Sequence, residues 1–164
     1  MNAHHFSVER VDVISTESFA ETVAAFEKKV PAADLAALNR LANGHASRRE
    51  VEASVQAMVG DLGFMILGKI DQGPLVSLLG KPKKLSVYLI GNPVLANRMF
   101  EQNPAVGVYA PLRVSIYEDY EGKAHFTYEK PSSSLAQFDH AEIHAVAKML
   151  DDKMNQLTAH IAGE

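Results

Sequence analysis

Hydrophobic and polar positions alternate in some stretches of this chain and recur at helical spacing in others, and that contrast predicts its elements. Residues 6–14 alternate loosely (Phe6, Val8, then Val11 and Val13) and read as a first strand with room for a bulge. Ser18 and Glu21 have the spacing of a capping box, in which each side chain satisfies a backbone N–H of the first helical turn. Phe19, Val23, Phe26 and Val30 follow as one buried stripe, and Pro31 closes the helix because its ring cannot continue the ladder. Leu35, Leu38 and Leu41 predict a short helix ending at Asn43-Gly44. Ser47 and Glu50 form a second capping box ahead of Val51, Val55, Met58 and Val59, and Gly60 and Gly63 end that segment.

Three strand-like segments come next. Phe64 to Ile70 is the first, and the connection through Lys84 is predicted to hold one helical turn at Leu75 to Leu79. Leu85 to Ile90 is the second. Asn92-Pro93 opens a short helix through Phe100 that Asn103-Pro104 ends. The third runs from Val106 to Glu118 with Pro111 inside it, which demands an edge or a bulge there. Tyr120-Glu121-Gly122 fits a three-residue hairpin loop with glycine at the left-handed position. The resulting register pairs Val114 with Tyr128 and Ile116 with Phe126 on an apolar face. It pairs Arg113 with Glu129, Ser115 with Thr127 and Tyr117 with His125 on a polar one. Pro131 to Ser134 reads as a loop. Asp139 and Glu142 form a third capping box before a helix whose stripe is Ile143, Val146, Ala147, Leu150, Met154, Leu157 and Ile161.

The expected fold is α+β: an antiparallel sheet of four to five strands whose apolar face lies under the first and last helices. A chain of 164 residues, 47% hydrophobic and 22% charged, suits a single domain spanning 1–164. The net charge of -4 and the lack of a basic stripe argue against nucleic acid as a partner. No cysteine is present, which removes disulfides, thiol nucleophiles and thiolate metal sites. No apolar run reaches a membrane span and no signal-peptide pattern opens the chain, so a cytoplasmic location and no membrane partner are expected.

The stretch from Phe64 through Leu150 resembles the bacterial "domain of unknown function 302" family. The marks are Gly63-Phe64, Ile70-Asp71, Gly91-Asn92-Pro93 with Ala96, Ala110-Pro111-Leu112 and Ile116-Tyr117-Glu118, in that order. The resemblance implies a β-α-β(4)-α layer, usually homodimeric, with no agreed activity, and the residues themselves name no cofactor. Many members carry a cysteine just before the Asn-Pro; here Gly91 stands in its place. Pro31 to Arg49 resembles a helical insertion relative to shorter members, one able to cap a cavity or an interface.

Candidate chemistry is sparse. His140 and His144 are four apart on the last helix, a spacing that presents two imidazoles to zinc or iron. His-Ala-Glu-Ile-His is not the zincin order, however, and no third ligand is identified, with Asp139, His125 and His160 as the candidates. His140 also continues the apolar stripe, which makes a structural histidine the leading reading. Asn92-Pro93 joins a strand end to a helix start, where backbone N–H groups bind anions, but both residues are also favoured there for capping alone. On the polar sheet face, Arg113 is suited to clamp a carboxylate or phosphate, with Tyr109 or Tyr117 to stack or donate; its bland alternative is a cross-strand ion pair with Glu129. Lys81, Lys83 and Lys84 around Pro82 read as a solvated basic turn. No Gly-x-Ser-x-Gly motif or dinucleotide fingerprint occurs. Three functions therefore stand: a small-ligand binding or sensing module near Asn92, Tyr109 and Arg113, a metal-dependent protein using His140 and His144, and a homodimeric interaction domain.

Overall fold

The structure, a computed structural model, describes residues 3–81 and 83–163. Five antiparallel strands form one sheet in the order β1-β5-β4-β3-β2. They are β1 (Arg10–Ile14), β2 (Met65–Asp71), β3 (Leu85–Gly91), β4 (Leu112–Glu118) and β5 (Ala124–Glu129). The helices are α1 (Phe19–Lys29), α2 (Leu35–Asn43), α3 (Arg48–Met58), α4 (Gly73–Ser77), α5 (Pro93–Phe100), α6 (Pro131–Leu135) and α7 (Ala141–Ala162), with a 3₁₀ turn at Pro104–Val108. This is the expected α+β architecture, with α1 and α7 laid over one sheet face and against each other.

The hairpin register is as the turn chemistry predicts. Val114 faces Tyr128, Ile116 faces Phe126, Ser115 faces Thr127 and Tyr117 faces His125. Gly122 adopts φ 84°, the left-handed conformation that a side chain would strain. Ile116 and Phe126 are fully buried beneath the helices, so the pleat parity is also as expected. Both predicted capping boxes at Ser18–Glu21 and Ser47–Glu50 form. An aromatic seam of Phe26, Tyr88, Phe126 and Tyr128 joins α1 to the sheet, with ring centroids 4.8–5.8 Å apart. The buried Tyr88 hydroxyl donates to Glu27, 2.8 Å away, whose carboxylate also meets Lys69 at 2.7 Å. Burial, then Glu27, push the Tyr88 hydroxyl pKa up.

Several boundaries differ from expectation. β1 begins at Arg10 and pairs without a bulge; the register shift lies in β2, between Ile66 and Gly68. The helical turn expected at Leu75 to Leu79 spans Gly73–Ser77, and Leu78 and Leu79 fall in the turn after it. Val106 to Pro111 is not strand. Val106 sits buried in the 3₁₀ turn, the Ala110–Pro111 peptide is cis, and β4 starts only at Leu112, so the proline never faces a ladder. Pro131 to Leu135 is a short helix rather than a loop, because Leu135 and Ser134 are buried and the Ser132 N–H donates to Asp151 on α7. The last helix is capped by His140, not Asp139: its Nδ1 accepts from the Glu142 N–H at 3.3 Å while its backbone stays extended.

Pro31 to Arg49 contains α2, which buries none of its residues. Its start is tied to β2 by a parallel bridge between Ala32 and Ile66. Pro82 lies outside the described residues.

Candidate functional site

Where β3 ends and β4 begins, the sheet and α5 line a partly open cavity of about 170 Å³. β3 contributes Ile90 and Gly91, α5 contributes Leu95 and Met99, and the segment entering β4 contributes Tyr109 and Pro111. Apart from Asn92 and Tyr109, every lining side chain is apolar. A Cβ built on Gly91 would sit 3.4 Å from Leu67 and 3.5 Å from Pro111, both of which also line the space, so this glycine leaves part of the cavity open. No residue of the Pro31 to Arg49 segment lines the cavity.

Asn92 is placed where the sequence puts it, but its polar atoms are engaged within the protein. Its Oδ1 accepts from the Val94 and Leu95 N–H groups at 3.0 and 3.3 Å, and its Nδ2 donates to the Gly63 carbonyl at 3.0 Å. Pro93 has no N–H, and the Ala96 N–H donates to the Asn92 carbonyl at 2.9 Å. The α5 terminus thus satisfies its own donors, which favours the capping reading over an anion site.

Tyr109 forms one wall of the cavity, its ring held edge-on between Phe6 and Phe138 with centroids 5.9 and 5.8 Å away. Beyond that wall a groove of about 480 Å³ shares Tyr109 to Leu112 with the cavity and reaches Arg113. Arg113 pairs with Glu129 at 3.1 Å, both side chains largely exposed. The structure therefore brings Asn92 and Tyr109 together and places Arg113 next door. Tyr117 stands apart from them. It lies four residues farther along β4, roughly 13 Å at strand rise.

Tyr117 belongs instead to a cluster on the open sheet face. Its ring stacks on His125 with centroids 4.7 Å apart, and its hydroxyl donates to Asp12 Oδ1 at 3.2 Å. His125 is buried on this nominally solvated face. Its Nδ1 lies 3.0 Å from Asp12 Oδ2 and its Nε2 lies 3.1 Å from Asp119 Oδ2. Burial pulls the imidazole pKa down, but the hydrogen bonds it donates to Asp119 and Asp12 outweigh it and the pKa is raised. Asp119 is held below the usual carboxylate range by the Lys123 backbone N–H, with help from His125. Asp12 and His125 are 113 residues apart, so only the β1–β5 pairing, with Asp12 opposite Thr127 and diagonal to His125, could have linked them.

His140 and His144 are both exposed, His140 as a helix cap rather than part of the apolar stripe. Among the described residues, no group of three or more His, Asp or Glu side chains is placed to hold a metal ion. No described helix is long and apolar enough to cross a membrane.

Among solved structures, the chain is similar to an uncharacterised conserved DUF302 protein from Bacillus stearothermophilus. The TM-score is 0.66 at 14% identity, over 93% of this chain and 97% of that one. At that identity the likeness speaks for the fold. No curated protein matches the chain. The family described as "Domain of unknown function DUF302" matches residues 42–161, which hold four of the five strands, α5 and nearly all of α7, and the chain therefore belongs to the DUF302 family.

Proposed function

We propose that the protein is a non-catalytic binding or sensing module that takes a small apolar molecule, or the apolar end of a larger one, into the cavity beneath α5. The carrying observation is a space of about 170 Å³ in a wall that is apolar except for Asn92 and Tyr109. Cavities of about this size lined by Leu, Ile and Phe stay dry and admit benzene-sized guests. A polar atom brought inside would lose water and find Asn92 already engaged within the protein, which leaves Tyr109 as the other polar side chain of the wall. A polar head on the guest would emerge beside Tyr109 and meet the groove that holds Arg113. The lining contains no serine, histidine, lysine or carboxylate, which supports binding over catalysis.

A thermal-shift series of benzene-sized aromatic and branched aliphatic compounds, with polar analogues of equal size, tests this reading. At about five times Kd the guest adds about 1 kcal/mol, raising the midpoint by about 2–4 °C for a domain of this size. Gly91→Val is the matched control. Its side chain grows between Leu67 and Pro111 into the empty space, so the variant should fold and lose the shift. An equal shift in wild type and Gly91→Val, or a preference for the polar analogues, would refute the assignment.

A further inference from the structure

The end of the sheet opposite the cavity carries an unpartnered apolar tip. Among the described residues the four most exposed large apolar side chains are Leu79 (86%), Tyr120 (84%), Leu78 (82%) and Val108 (82%), and the first three lie on the two connections at this end, β2 to β3 and β4 to β5. Leu75, also exposed, completes an i, i+3, i+4 face with Leu78 and Leu79 on α4 and the turn after it. The tip is built rather than frayed. The Ser77 hydroxyl donates to the Gly73 carbonyl at 2.7 Å and accepts from the Lys83 N–H at 2.7 Å, closing the β2–β3 connection on itself. Lys81 reaches over the Tyr120 ring, 5.6 Å from its centroid, which joins this connection to the β4–β5 turn.

Water is a poor partner for such a surface, since contiguous exposed apolar patches mark contact sites. The charges beside it select the occupant. Lys81, Lys83 and Lys84 follow the leucines after Gly80. The acidic groups of the adjoining β4–β5 turn are paired: Glu118 with Lys84 itself at 2.6 Å, which leaves Lys81 and Lys83 for the tip, Glu121 with Lys123 at 2.9 Å and Asp119 with His125. Asp71, at the end of β2, is the remaining carboxylate nearby. A second copy docked tip to tip, the homodimer the family resemblance suggests, would set these lysines against their own counterparts. An anionic lipid surface meets all three chemistries at once: leucines in the acyl boundary, tyrosine at headgroup depth and lysines on the phosphates.

We propose that the α4 tip is a docking surface for anionic membrane, with Leu75, Leu78 and Leu79 inserted shallowly and Lys81 and Lys83 at the headgroups. The absence of a spanning helix has no bearing on this contact, which needs only a surface. It is independent of the cavity and of whatever the cavity holds.

Sedimentation with vesicles of equal parts phosphatidylserine and phosphatidylcholine tests it, against vesicles of phosphatidylcholine alone. The full chain should pellet with the anionic vesicles and less with the neutral ones, and added salt should weaken it. Leu78→Glu with Leu79→Glu, at positions exposed enough to leave the fold intact by circular dichroism, should lower partitioning by roughly a hundredfold. Lys81→Glu with Lys83→Glu should abolish the preference for phosphatidylserine. Wild type that stays in the supernatant, or a leucine variant that binds as well as wild type, overturns the proposal. So does light scattering that finds a dimer dissolved by the leucine changes while no vesicle binding occurs, which would assign the tip to a second copy.

Discussion

Phe126→Ala is expected to destabilise the protein by about 3–5 kcal/mol, whereas Arg113→Ala on the same hairpin should change stability by less than about 0.5 kcal/mol. Phe126 is fully buried, packed on Phe26 and Tyr128 with centroids 5.8 and 5.7 Å away. Its removal leaves a void flanked by α1 and by β4, and neither can relax into it without breaking a capping box or a ladder. The flanking groups also lose dispersion contacts that water cannot replace. Arg113 points to the other face, where its ion pair with Glu129 is mostly solvated. Urea unfolding of the two variants reads the contrast directly. Comparable losses from both would mean that the sheet does not have one greasy and one wet face.

The second large effect depends on pH. A neutral imidazole donates one hydrogen bond, yet His125 faces a carboxylate on each nitrogen, Asp12 at 3.0 Å and Asp119 at 3.1 Å. Only the imidazolium satisfies both, so the proton ties β1 to the β4–β5 turn. Tyr117 covers the ring, and burial, then Asp12, push its hydroxyl pKa up against the smaller opposing pull of Arg10. Because the folded pKa of His125 lies above its ordinary value, the folded state binds the proton more tightly. Its contribution is complete below about pH 6.5, the unfolded value, and disappears as pH rises through the folded pKa. Losing one charge-assisted bond at a buried ring amounts to about 1.5–3 kcal/mol. Unfolding free energies at mildly acidic and mildly alkaline pH should therefore differ in wild type, and the difference should vanish in His125→Gln whatever that variant's absolute stability. A wild type equally stable on both sides would mean that the imidazole is not charged in this cluster.

Local features are the ones legible in the residues. The hairpin loop at Tyr120-Glu121-Gly122 sets a register through geometry confined to a few positions, and five cross-strand pairs follow from it. Ser18–Glu21 and Ser47–Glu50 are legible for the same reason. Asp139 is not, because an aspartate three residues before Glu142 satisfies the spacing rule while the chain turns helical one residue later, after His140. Val106 and Val108 mimic strand alternation. A strand would put both on one face, but a 3₁₀ turn carries them, burying Val106 and leaving Val108 largely exposed. The serines after Pro131 look like loop until Asp151 on α7 supplies a partner for the Ser132 N–H. The site divides in the same way. Asn92 is legible from a strand-to-helix junction, and Tyr109 falls on an expected strand that is in fact the end of a 3₁₀ turn; both line the cavity. Leu67, Leu95 and Leu150 are not, because in sequence a cavity wall is indistinguishable from core. The Asp12–His125–Asp119 cluster depends on the β1–β5 pairing, which no local rule supplies.

The proposed binding role stands or falls on whether the space under α5 is dry, open and receptive to apolar guests. Pressurising crystals with xenon and mapping its anomalous signal probes this directly, whatever the natural guest is. Xenon should occupy the pocket between Gly91, Leu95, Met99 and Pro111 in wild type, and be absent there in Gly91→Val. Ordered water filling that pocket, or a xenon-free pocket closed by Leu67 or Phe100, would contradict it.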